Sequence, residues 1–241
     1  MGPPFHILAK KGDIAERVII AGDPYRVKQI SGLLDNPVLV NENRGLFVYT
    51  GKYKGIPVTV ATHGIGSGSA AIVIEELVML GAKYIVRLGT AGALIPELDI
   101  GDYVVASGAA CIHNGNSLGQ YAPGYCLPTA PSPQLTGLLI EKAKSKNAKF
   151  VVGPVFSSDS FYAENPEFAK YWSERGVVAV EMECASLFAL SWIRRFHSAA
   201  LLIISDSLVK DKSVFLTANE LKPRVELAAT IVLDTLVDVD F

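Results

Sequence analysis

Tyr84-Ile85-Val86-Arg87-Leu88-Gly89-Thr90-Ala91-Gly92 reads as a buried strand, Tyr84–Leu88, running into a glycine-rich exit that carries an arginine and a hydroxyl. An arginine leaving the end of an apolar strand must be paired or solvated. The stretch therefore announces both a sheet and a polar site at its edge. Along the rest of the chain, β-branched runs alternate with helical patterns. Strands are predicted at Arg17–Ala21, Tyr103–Cys111, Lys149–Phe156, Val177–Val180 and Ala199–Ile204, with a hairpin, Leu46–Tyr53 and Pro57–Thr62, around Lys54-Gly55. Helices are predicted at Pro24–Leu33, from the Gly64–Ser69 loop to Leu80, and at Ser132–Lys146, Pro166–Arg175, Glu183–Arg195 and Thr217–Val237. This alternation specifies an α/β fold in which helices cover a largely parallel or mixed sheet. With no linker composition and no internal repeat, residues 1–241 read as one domain.

Composition excludes several classes of function. Of 241 residues, 50% are hydrophobic and 19% charged, which supplies a sizeable core and rules out disorder. Lysine and arginine total 22 against 24 acidic residues, a net charge of −2, without the basic excess of a nucleic-acid or membrane-surface protein. The longest apolar run, Ala199–Ile204, falls far short of the roughly 20 residues of a membrane span. Met1–His6 shows no signal-peptide core, so the expectation is a soluble, cytoplasmic protein. The three cysteines, Cys111, Cys126 and Cys184, form no metal-ligand spacing. Cys126 lies in the glycine- and proline-rich stretch Ala122–Pro128, where an intersubunit disulfide is conceivable.

In sheets of this kind ligands collect where strands end. The stretch Gly64-Ile65-Gly66-Ser67-Gly68-Ser69 occupies the place of a dinucleotide loop, but its third glycine is replaced, and Arg87 stands where a ribose-binding acid belongs. A nicotinamide enzyme is disfavoured, and a tight strand–helix connection is the plainer reading. Gly22-Asp23-Pro24-Tyr25-Arg26 places backbone N–H groups and an arginine at a helix start, and Asn41-Glu42-Asn43-Arg44-Gly45 puts a further arginine in a turn. Helix N-termini and guanidinium forks both suit phosphate, although each segment alone could be a cap or an ion pair. Glu181-Met182-Glu183 ends a strand and opens a helix, where Glu183 either serves the helix dipole or accepts hydrogen bonds from a sugar diol. Asp206, in Ser205-Asp206-Ser207, is either a helix N-cap or a desolvated carboxyl able to donate a proton.

Gly-Asp-Pro-x-Arg, Asn-x-Arg-Gly, Arg-x-Gly-Thr-x-Gly, Phe-Tyr and Glu-Met-Glu followed by Ser-Asp, in this order, resemble the trimeric–hexameric nucleoside phosphorylase family, nearest its archaeal methylthioadenosine and purine branch. The resemblance runs from His6 to the last helix. It implies a barrel-like mixed β-sheet flanked by helices, assembled as a trimer of dimers. It also implies that Gly22, Arg26, Arg87 and Thr90 bind phosphate, joined by Arg44 from a neighbouring subunit. Glu183 would hold the ribose hydroxyls, with Met182 beneath the sugar and His6 of the neighbour near the 5′ position. Phe161 would pack on the base, Ser205 would lie beside it, and Asp206 would protonate it. Inorganic phosphate is then the co-substrate, with no metal or organic cofactor.

The implied reaction is phosphate-dependent cleavage of inosine, guanosine, adenosine or 5′-methylthioadenosine. Two departures bear on it. The arginine that assists the acid in bacterial purine enzymes is Asn219 here, with Lys210 and Lys212 the nearby bases. Uridine phosphorylases follow Phe-Tyr with a Gln and Arg pair, whereas Ala163-Glu164-Asn165-Pro166 follows here, which favours purines. Uridine phosphorylase is the alternative. A hydrolase would not need the phosphate arginines, and a nucleoside-binding protein would not need Asp206.

Overall fold

The computed structural model describes residues 3–112, 117–163, 167–210 and 216–241. In chain order these form β1 (Arg17–Ala21), α1 (Pro24–Ser31), β2 (Asp35–Asn41), a 3-10 turn (Asn43–Gly45), β3 (Val48–Tyr53), β4 (Ile56–Thr62), α2 (Ser67–Leu80), β5 (Tyr84–Ala93) and β6 (Tyr103–Cys111). They continue with α3 (Leu118–Tyr121), α4 (Pro133–Ser145), β7 (Phe150–Ser157), α5 (Phe168–Ser173), β8 (Ala179–Glu181), α6 (Cys184–Arg194), β9 (His197–Ser207) and α7 (Ala218–Val237). The predicted helix start at Pro166 and the candidate base Lys212 lie outside the described residues.

The strands form one mixed sheet in the order β2-β3-β4-β1-β5-β8-β7-β6-β9, and β9 returns to pair with β5. That return closes β5, β8, β7, β6 and β9 into a ring, with β1, β4, β3 and β2 as an open wing. The closed ring is the barrel-like mixed sheet that the family resemblance implies. Every position of β5 pairs with β9 in parallel, from Tyr84 opposite His197 to Ala93 opposite Ser207.

Strand periodicity sorts the core. Val18 and Ile20 of β1, Ile85 of β5 and Ala200, Leu202 and Ile204 of β9 pack with α2 and α6. Their alternates Ile19, Val86, Leu88, Ala199, Leu201 and Ile203 pack with α1, α4 and α7. Residues two apart share a face, so each strand feeds both layers. A sheet covered on both faces explains why Ala199–Ile204 is continuously apolar.

Several elements differ from the sequence reading, among them the short helix α3, which was not expected, and β9, which runs from His197 to Ser207 beyond the expected Ala199–Ile204. β2 was not foreseen: Asp35-Asn36-Pro37 carries turn chemistry, and most of the strand is exposed at the edge of the wing. β5 continues five residues beyond Leu88, because pairing with β9 holds Gly89–Ala93 extended despite their loop-like composition. The last helix starts as expected, its N-cap Thr217 forming a capping box with Glu220.

Candidate active site

β1 accompanies β5 only as far as Arg87, and β8 joins the same strand only at Gly92. Between those points the sheet forks, and a cavity of about 580 Å³ opens in the fork. It is bounded by the turn after β1, the Gly64-Ile65 segment before α2, the end of β8 and the end of β9. Nine residues singled out in the sequence line it: Gly22, Arg26, Arg87, Thr90, Phe161, Met182, Glu183, Ser205 and Asp206. His6 and Arg44 do not.

The cationic end is built around Arg87, which is buried yet fully engaged. Its guanidinium donates to Glu183 and lies 3.2 Å from a carboxylate oxygen of Glu181. Burial opposes the charge of Arg87, but Glu183 and Glu181 outweigh it and hold the guanidinium protonated. Gly89 makes room for this fold-back, since a Cβ there would lie 1.9 Å from the guanidinium. Arg26, on the first turn of α1, faces the same cavity and makes no hydrogen bond or ion pair among the described residues. Burial lowers its pKa, Asp23 partly offsets that, and Arg87 adds to it. Two guanidiniums facing one cavity, one of them without a partner among the described residues, have the geometry and charge that suit an anion.

The two glutamates divide the roles left open by the sequence. Glu181, missed as a site residue, supports the helix start: its carboxylate accepts the backbone N–H of Glu183 at 2.7 Å and of Cys184 at 2.9 Å, and the hydroxyl of Ser157. Glu183 occupies the N-cap position of α6 but makes no capping bond. Its carboxylate instead bridges Arg87 and the backbone N–H of Gly66, 2.6 Å away. The capping reading therefore belongs to Glu181, and Glu183 faces the cavity.

A second missed residue, His63, follows β4. It is completely buried, and neither ring nitrogen has a hydrogen-bond partner. Burial and the neighbouring Arg87 hold it neutral, so it adds no third positive charge. A histidine at the end of an apolar strand gives no sequence signal of this placement.

Asp206 lies inside β9, which excludes the helix-cap reading. The pairing Ala91–Ile204 is followed by Gly92–Asp206, so Ser205 is an extra residue in β9. Such a bulge re-aims the side chains that follow. Regular pairing would have placed Ser205 opposite Gly92. The bulge brings Asp206 there instead and lets both residues line the cavity. Gly92 is required by the close approach, because a Cβ would lie 2.9 Å from the Asp206 carboxylate and 2.6 Å from Leu208. Desolvation raises the Asp206 pKa, and the 2.7 Å hydrogen bond from Ser205 only partly opposes it. Lys210 does not assist: its ammonium bonds the Leu98 carbonyl at 3.1 Å and pairs with Asp99. Asn219 is exposed on the first turn of α7.

His6 and Arg44 form a separate cluster. His6 Nδ1 is 2.7 Å from Glu76, and its carbonyl accepts from the Asn43 amide at 3.0 Å. Arg44 adopts a left-handed φ of 58° and sets its guanidinium 5.9 Å from the Phe5 ring centroid. Phe161, 57% exposed, leaves one wall of the cavity open.

Comparison with known proteins agrees with this architecture. Residues 16–238 match the phosphorylase superfamily. A guanosine phosphorylase of Halorubrum lacusprofundi is 37% identical over 204 residues, covering 85% of this chain and 83% of its own. A DeoD-type purine nucleoside phosphorylase of Streptococcus pyogenes serotype M5 is 37% identical over 234 residues, 96% of this chain and 98% of its own. Among solved structures, purine nucleoside phosphorylase from Toxoplasma gondii, in complex with immucillin-H, superposes with a TM-score of 0.89 at 28% identity, covering 98% of this chain and 96% of that one. Uridine phosphorylase from Vibrio fischeri ES114 does so at 0.87 and 30%, covering 99% of each chain. Sequence and fold thus agree over nearly the whole length, and the chain belongs to the phosphorylase superfamily.

Proposed function

We propose that the protein is a pentosyltransferase that cleaves purine nucleosides with inorganic phosphate, releasing the free base and ribose 1-phosphate. The observation that carries this reading is the pairing, in one cavity, of the unpartnered Arg26 beside Arg87 with the desolvated acid Asp206. Relatives named as guanosine and purine nucleoside phosphorylases support it.

Phosphate bound by Arg26, Arg87, Thr90 and the backbone at Gly22 attacks the anomeric carbon. The glycosidic C–N bond breaks, and its electron pair leaves with the base. Asp206 delivers a proton to N7, so the purine departs neutral, and solvent later reprotonates the carboxylate. The dianion held near the developing oxocarbenium ion stabilises it electrostatically, and fixed positioning removes much of the entropic barrier. Glu183 holds the ribose hydroxyls, Met182 packs beneath the sugar, and Phe161 and Ser205 flank the base. Phosphate is the only co-reactant this chemistry needs. His6 and Arg44, set outside their own cavity, complete that of a neighbour, in a cytoplasmic homo-oligomer built as a trimer of dimers. The substrates within reach are inosine, guanosine, adenosine and 5′-methylthioadenosine.

The test is a phosphate-dependent assay over these nucleosides and uridine. Phosphate-dependent release of purine is expected. Uridine cleavage without purine cleavage would replace this reading with a uridine phosphorylase, which the Vibrio structure keeps as the second candidate. Cleavage without phosphate would indicate a hydrolase.

A further inference from the structure

Glu76, in the middle of α2, is buried, and its carboxylate is loaded with donors from the segment Phe5–Ile7. One oxygen accepts the N–H of Phe5 at 3.0 Å and the Nδ1 of His6 at 2.7 Å. The other accepts the N–H of His6 at 2.9 Å and of Ile7 at 2.6 Å. Asn43 holds the His6 carbonyl, and Asn41 accepts the N–H of Leu8 at 2.9 Å. The N–H groups from Phe5 to Leu8 and the His6 carbonyl are thereby fixed, and the ring remains partly exposed with Nε2 making no hydrogen bond among the described residues.

We propose that Glu76 is a positioning residue: by accepting the Nδ1–H of His6 it fixes the tautomer whose Nε2 accepts a hydrogen bond from the 5′-hydroxyl of the nucleoside in the neighbouring subunit. An ionised carboxylate can only accept, so Nδ1 must carry the proton. The donors outweigh the effect of burial and keep the Glu76 carboxyl ionised below its ordinary range. In the neutral ring Nε2 is then an acceptor, and which nitrogen carries the proton is set by the partner of the other. A 5′-hydroxyl can donate to it; a methylthio group cannot. The enzyme therefore favours 5′-hydroxy nucleosides over 5′-methylthioadenosine. The inference rests on the proposed phosphorolysis and on the sharing of His6 between subunits.

The experiment compares inosine with 5′-deoxyinosine, which lacks only the donor, in the wild-type enzyme and in Glu76→Gln, His6→Ala and the double variant. Glu76→Gln should lower kcat/KM for inosine about tenfold and for 5′-deoxyinosine less than about twofold, the scale of one hydrogen bond to a polarised partner. It should change nothing further once His6 is alanine. Equal slowing of both substrates by Glu76→Gln would reduce Glu76 to a structural anchor and overturn the proposal. An unchanged substrate ratio in His6→Ala would remove His6 from the 5′ position, and the proposal with it. A wild-type enzyme inactive on every purine nucleoside would refute the phosphorolysis itself. If Glu76→Gln does not assemble, ¹⁵N spectra of histidine-labelled wild-type enzyme decide: neutral His6 protonated on Nδ1 supports the proposal, and on Nε2 overturns it.

Discussion

At Asp206 function and stability pull in opposite directions. A carboxyl whose folded pKa is raised binds its proton more tightly in the folded chain than in the unfolded one. It contributes stability below the unfolded value and loses it as pH rises through the raised folded value. Asp206→Asn cannot ionise, so at neutral pH the variant should melt no lower than wild type, and any advantage should vanish on acidification below the ordinary carboxylate range. Its phosphorolysis of inosine should fall by about 10²–10⁴-fold, the usual worth of a general acid. A 7-methylated purine nucleoside already carries its positive charge and should be cleaved almost normally. Equal slowing of both nucleosides would reject the acid role. Gly92→Ala probes the same carboxyl indirectly. The new Cβ needs the space held by Asp206 and Leu208, and displacement of about an ångström should lower kcat roughly 100-fold with phosphate affinity little changed. Arg87→Ala should act at the other end, raising the phosphate KM and lowering turnover at least ~100-fold.

At the scale of elements, the site is held by the junction of β8 and α6 more than by any loop. Glu181 joins Arg87 to the first amides of α6, and Ser157 joins both to β7, donating to Glu181 and accepting the Ala185 N–H at 2.9 Å. Removing the glutamate takes one of two carboxylates from a buried guanidinium and leaves two amides at the start of α6 without their acceptor. Glu181→Ala should therefore cost about 3–5 kcal/mol, measurable by denaturant unfolding, where Glu181→Gln keeps one acceptor and should cost less. Most elements could be read from the sequence because their apolar periods are strong. β2 escaped because an exposed edge strand carries no alternation and Asn36-Pro37 mimics a turn. The bulge in β9 escaped because nothing local marks it: Ser205 is extra only relative to Gly92, a residue more than a hundred positions away. The cavity-lining residues were legible as motifs, yet Glu181 and His63 were not, since the surroundings of each are set by residues far away in sequence, Arg87 and Ser157 for Glu181 and burial beside Arg87 for His63.

For the whole molecule, the decisive question is whether a chain carries a complete site. His6 and Arg44 sit in one pinned cluster apart from their own cavity. Mixing an inactive Arg44→Ala chain with an inactive Glu183→Ala chain should then restore part of the activity. Each mixed contact can assemble one intact site from the undamaged halves. No recovery in oligomers verified to be mixed would show that each chain serves itself. The cavity opens where β1 parts from β5 and before β8 joins it, so any contribution from a neighbour must reach into this fork.

The bulge also makes β9 sensitive to the count of its residues in a way distinct from their identity. Ser205→Ala removes a hydroxyl but leaves Asp206 opposite Gly92. Deleting Ser205 would restore regular pairing with Asp206 still opposite Gly92, and only the local re-aiming that the bulge gives the carboxyl would be lost. In a scan of single-codon deletions over positions 199–207, Ser205 should therefore be the residue whose loss leaves both the other pairings and the carboxyl in place, whereas loss of any residue from 199 to 204 shifts part of the strand against β5. Shortening of this strand is thus open to the protein at the bulge alone, where substitution of Ser205 is open as well.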